Sequence, residues 1–170
     1  MIDTEHVRLM AQYNAWQNKS IYGAADTLTE EARKQQRGAF FGSIHGTLSH
    51  LLFGDQIWMH RFVGSPAPRA TTIAESVSAM PDWAELRRER FAFDAKLETW
   101  AETLDPAWLE GELSWYSSAM KRDIKRPRWM LVTHMFNHQT HHRGQVHCML
   151  TQAGAKPDDT DIPFMPGLGL

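Results

Sequence analysis

Five of the nine histidines in this chain fall in one stretch, PRWMLVTHMFNHQTHHRGQVHCMLTQAG, from Pro127 to Gly154. Pro127 suits the first turn of a helix, where its missing N–H leaves no bond unmade, and Gly154 suits the exit, where a left-handed residue is wanted. Nothing between them forbids one long helix. At about 100° per residue, with His134 at zero, His141 falls near −20°, His138 near +40° and His142 near +80°. Leu131, Met149, Met135, Val146, Leu150 and Phe136 spread over roughly +60° to +200° on the same count. His138 and His142 therefore sit at the rim of an apolar stripe, facing a core. Imidazoles at i and i+4 are neighbours on a helix and can close on one metal ion. A third ligand must come from another helix.

The segment SIHGTLSHLLFGDQIWMHRFVG, Ser43 to Gly64, offers one. Ser43 can cap a helix and Gly64 can close it. With His50 at zero, Trp58, Leu51, Ile44, Phe62, Leu48 and Met59 lie between roughly +80° and +180°. His50 thus occupies the edge of its stripe as His138 does on the later helix, whereas His45 and His60 fall on the far side. Gly54, one turn on from His50, leaves space for a ligand or another backbone.

Two more helices complete the pattern. Thr4 to Leu28 carries Leu9, Tyr13, Trp16 and Ile21 near helical spacing. Ile73 to Leu104 is predicted as one helix, bent near Pro81, with Trp83, Leu86, Arg90, Phe93, Leu97 and Trp100 on one face; Asp105-Pro106 ends it. Residues 29–42 and 65–72 are predicted loops. Trp108 to Lys125 suits a short hairpin or extended connection. The tail KPDDTDIPFMPGLGL, with three prolines and three aspartates, should wrap or trail. An all-α fold follows, most economically an antiparallel four-helix bundle with a short hairpin before the last helix.

At 170 residues the chain fits one domain, residues 1–170, able to bury a substantial core. Its 18 Lys plus Arg against 20 Asp plus Glu leave no nucleic-acid footprint, and the basic run Lys121 to Arg128 reads as a solvated hairpin or loop. The first residues lack a signal-peptide core and no stretch approaches a membrane span, so a cytoplasmic protein without a membrane partner is expected. The single cysteine, Cys148, excludes an internal disulfide and is expected to act as a small buried hydrophobe outside the site.

The pairing of LSHLLFGDQIWM, from Leu48 to Met59, with HMFNHQTHHRGQVHCML, from His134 to Leu150, resembles the DinB (YfiT-like) family. YNAWQNK, from Tyr13 to Lys19, is similar to that family's first helix, and DIPFM to its tails. The strongest part is H-x3-H-H-R-G-Q, here His138, His141, His142, Arg143, Gly144 and Gln145, joined to a lone histidine far upstream. The resemblance implies a four-helix bundle with one divalent metal held by His50, His138 and His142, the same three that the helical wheels select. It also implies a homodimer, and chemistry of the kind known in relatives that are thiol-dependent transferases or isomerases working with a small-molecule thiol.

Three neutral imidazoles leave a divalent ion at least one open position, the arrangement of catalytic rather than structural sites. All-nitrogen ligation suits zinc or nickel, with iron and manganese as further candidates. The function expected is a metal-dependent transferase or hydrolase acting on a small molecule; the alternatives are a non-catalytic metal-binding stress or scaffold protein, and a helical protein whose histidines are incidental. No carboxylate stands in a metalloprotease motif, and no catalytic base is identifiable. Around the trio, His141 points about 100° from His142 and suits a hydrogen bond to a neighbour or plain exposure. His134 suits a proton carrier, a substrate contact or a surface residue. Asp55 and Arg143 both fall inside apolar stripes, where a charge needs a partner, so they are expected to pair and fix the two ligand helices.

Overall fold

The structure, a computed structural model, describes residues 2–118 and 120–167. Among them are seven α-helices and one two-stranded antiparallel hairpin. Four helices are long: α1 (Thr4–Asp26), α3 (Ile44–Val63), α5 (Trp83–Glu102) and α7 (Arg128–Gln152). Asp3, Ser43 and Asp82 start the first three, each side chain accepting a backbone N–H three residues on, a contribution of about 1 kcal/mol per cap. α7 has no side-chain cap; the Arg128 N–H donates instead to the Gly111 carbonyl at 2.9 Å. α3 closes at Gly64, whose φ of 69° is the left-handed conformation expected there.

The long helices pack α1 on α5 and α7, and α3 on α5 and α7. Val7 and Ile21 of α1, Leu48, Leu51 and Leu52 of α3, Leu86 and Leu97 of α5, and Met135 and Leu150 of α7 fill the interior. Cutting one such leucine to alanine costs about 2–5 kcal/mol. The expected hairpin is present: β1 (Glu112–Ser117) pairs with β2 (Arg122–Pro127).

Three short helices were not expected. α2 (Glu30–Lys34) lies in the stretch assigned to a loop, capped by Thr29. The single helix predicted from Ile73 to Leu104 is two: α4 (Ile73–Ser76) ends before Pro81, which disfavours helical backbone at Met80, and Asp82 caps α5 afresh. Asp105-Pro106 opens α6 (Pro106–Glu110) as well as following α5. The tail wraps along α1, with the Asp158 N–H on Ser20 Oγ, Tyr13 Oη on the Thr160 carbonyl and Gln17 on the Asp159 carbonyl, at 2.7, 2.8 and 2.8 Å.

A buried polar network joins all four long helices, and it corrects the expected Asp55–Arg143 pair. Asp55 Oδ2 accepts from Arg90 Nη1 at 2.7 Å, and Asp55 Oδ1 accepts from Gln139 Nε2. Arg90 Nη2 lies 2.7 Å from Asp94 Oδ1, which also accepts from Asn18 at 3.0 Å. Arg143 donates to Asn14 Oδ1 and, at 3.3 Å, to Thr140 Oγ1. Both predicted residues do carry buried charge, but α5 supplies Arg90 as the carboxylate's partner. Burial pushes the Asp55 carboxyl upward against the pull of Arg90, and pushes Asp94 up to about 6. Burial also lowers Arg143, to about 10.

Candidate metal centre

α3 and α7 run antiparallel. His50 faces His142, with ring centroids 5.2 Å apart. A turn further along α3, Gly54 faces His138, and a turn beyond that Trp58 faces His134 at 5.3 Å. This register turns the i, i+4 spacing of α7 into a site: one candidate nitrogen each from His50, His138 and His142 lie within 4.8 Å of one another. His50 Nε2 and His138 Nε2 are 3.1 Å apart.

Hydrogen bonds fix which nitrogen of two rings faces inward. Ser76 Oγ donates to the Ile73 carbonyl at 2.5 Å, so toward His50 it can only accept, from Nδ1–H at 2.8 Å. Gln145 Oε1 likewise accepts from His142 Nδ1–H at 2.8 Å, while the Gln145 amide NH2 donates to His141 Nε2 at 3.3 Å. Nε2 of His50 and of His142 therefore carry lone pairs. Phe41, from the loop before α3, stacks on the His50 ring at 3.7 Å and covers one side.

Burial favours the uncharged form of all three rings. Burial, followed by the neighbouring His142, lowers His50 to about 4. Burial and the other histidines, His142 first, lower His138 to about 3. Burial lowers His142, with the Gln145 bond opposing it. Uncharged imidazole is the form a metal needs. Two nitrogens 3.1 Å apart, each about 2.0–2.1 Å from a zinc ion, subtend roughly 100°, close to the tetrahedral angle. The residues fit a divalent ion, and their donor set is all nitrogen.

Gly54 makes the third ring possible. A Cβ there would stand 3.0 Å from His138 Cε1 and 3.3 Å from Nδ1. The space foreseen at this glycine is filled by the His138 side chain.

Of the surrounding candidates, His141 is exposed and, among the described residues, hydrogen-bonded only to Gln145 within its own helix. His134 is exposed, its ring 5.9 Å from that of His138. Asp55 and Arg143 belong to the buried network and not to the site. His45, expected on the outer side, is buried, its Nε2–H donating to the Met80 carbonyl at 2.7 Å. That side of α3 faces the crossover to α5, not solvent. Cys148, expected to be buried, is exposed.

Sequence reasoning missed Ser76 and Phe41, and named Gln145 within the motif without giving it a role. Gln145 was within reach, because i, i+3 from His142 places it on the same face. Ser76 sits on a one-turn helix that periodicity does not detect.

Two antiparallel helices with three imidazoles converging between them place the chain among helical proteins in which a histidine trio could hold a metal ion. The chain belongs to the DinB family, whose model matches residues 1–168. It is similar to Protein DinB of Bacillus subtilis (strain 168), with 28% identity over 157 residues covering 88% of this chain and 87% of that one. No helix among the described residues is long and apolar enough to cross a membrane.

Proposed function

We propose that this chain is a metal-dependent transferase or hydrolase acting on a small molecule, with a DinB-type four-helix bundle holding zinc or nickel through His50, His138 and His142. One observation carries the reading: Nε2 lone pairs on His50 and His142 converge beside His138, and their Nδ1 protons are already engaged by Ser76 and Gln145. When bound, a divalent ion with an open position lowers the pKa of a water to about 7 and deprotonates a coordinated thiol.

The protein's own groups prepare this. Ser76 and Gln145 hold protons at Nδ1 of His50 and His142, which keeps both Nε2 atoms as acceptors and fixes the ring planes. Phe41 shields His50 from water on one face. A thiol as co-substrate draws its support from the family resemblance.

The test has two stages. Elemental analysis of the purified or zinc-reloaded protein should give about one ion per chain, and His142→Ala should lose it. A panel of small thiols with electrophiles should then show turnover with the wild type and none with His142→Ala. A wild type that cannot be loaded removes the reading. Metal retained without turnover on any panel moves it to a binding or scaffold role.

A further inference from the structure

The row of rings that starts at the three imidazoles continues along the seam between α3 and α7. His138 is followed by His134 at 5.9 Å, His134 by Trp58 at 5.3 Å, and Trp58 by Trp115 of β1 at 5.6 Å. At its end stands Arg61. Counted from His50 at about 100° per residue, Gly54 lies near 40° and Arg61 near 20°, so all three occupy one face of α3. Arg61 is seven residues beyond Gly54, about 10 Å along the axis. Helical side chains lean toward the N-terminus. The lean carries the guanidinium back over Trp58, with Cζ 4.8 Å from its ring centroid and 5.6 Å from that of Trp115.

This arginine differs from the protein's other enclosed ones. Arg90 and Arg143 give their protons to Asp55 and Asn14, and Arg33 to backbone carbonyls. Arg61 is half-buried, yet among the described residues it has no ion-pair partner, and burial alone accounts for its lowered pKa. A partly desolvated cation with no acid beside it gains from a ligand that brings one. Its contacts to the two indoles leave the guanidinium's N–H edge as the part able to donate. An edge of parallel N–H groups matches a flat carboxylate.

We propose that Arg61 is the recognition residue for a carboxylate on the small molecule whose other end reaches the three histidines. The near end rests on the metal reading above. The far end does not. The ligand then has a metal-seeking group and a carboxylate separated by roughly two helical turns, about 10 Å at most, with Trp58 and His134 lining the span between.

Cobalt(II)-loaded protein titrated with 8-mercaptooctanoate and with 8-mercapto-1-octanol, read by the thiolate-to-cobalt absorption band, tests the whole span. Metal-free protein titrated with octanoate and with octanol, read by tryptophan fluorescence, tests Arg61 by itself. In each pair the carboxylate should bind at least about tenfold more tightly than the alcohol, the effect of one charge-assisted bidentate bond. Arg61→Gln should bring the ratio to about one, leaving affinity for cobalt and for the alcohols unchanged. Equal binding of acid and alcohol by the wild type in both arms overturns the proposal without any variant. Protein that takes no cobalt yet prefers octanoate keeps the Arg61 site and removes the metal reading instead. Loss of the preference in a well-folded Arg61→Gln, checked by an unchanged denaturation midpoint, supports it.

Discussion

The protein gathers polar side chains in two places, and the two use them in opposite ways. In the interior, Arg90 and Arg143 face Asp55 and Asp94 among Asn14, Asn18 and Gln139, and donors and acceptors of opposite charge answer one another across four helices. Between α3 and α7, three imidazoles meet, two of them with the proton held on the far nitrogen and the lone pair of Nε2 turned toward the others. The first set balances its charges without a ligand. The second leaves lone pairs that a cation could take. His45 supplies the reference for a histidine used by the fold alone: buried, neutral and donating to one carbonyl.

That contrast sets the order of effects. Arg90→Ala leaves two buried carboxylates without their cation and should cost about 3–5 kcal/mol of unfolding free energy in a denaturant titration. A loss under about 1 kcal/mol would mean the network is not the internal framework described. Ser76→Ala removes the acceptor that orients His50 and should weaken zinc binding by about 10–100-fold, with the unpaired His50 Nδ1–H costing the metal-free protein about 1–3 kcal/mol. Unchanged zinc affinity would show that the outer hydrogen bond does not set the ring.

Gly54→Ala separates the regions in a single variant. Alanine favours the helix over glycine by up to about 1 kcal/mol, but its Cβ presses on His138, so zinc affinity should fall by about tenfold as the metal-free protein holds or gains stability. Both quantities falling together would contradict the assignment. The smallest effect concerns His45→Gln. Burial holds the His45 pKa below its ordinary 6.5, so the unfolded chain binds that proton more readily and stability present above pH 6.5 is lost as pH falls through the folded value. The glutamine variant should show a shallower decline of midpoint on acidification, measured from pH 7 to 5. An identical slope would place the acid sensitivity elsewhere.

How much of this was legible in the sequence follows from what a helical wheel measures. It gives the angle of a side chain about its own axis, and the trio needed little more: two rim positions one turn apart, and a rim position on a second helix. The same wheel placed Asp55 and Arg143 correctly in their stripes and then mispaired them. An angle about one axis does not say which neighbouring helix lies there, and α5 with Arg90 stood in the way. His45 failed for the related reason that the side away from one stripe was covered by the crossover. The short helices α2, α4 and α6 escaped because four or five residues carry no period, although Thr29, Thr72 and Asp105 were in place to cap them.

Ser76, like Phe41, reaches the centre from outside the long helices. It stands in the connection from α3 to α5, so the orientation of His50 depends on a crossover that a protein engineer would treat as exchangeable. Grafting that connection from a relative, with every histidine retained, would hand the recipient its donor's grip on the ion as well as its loop.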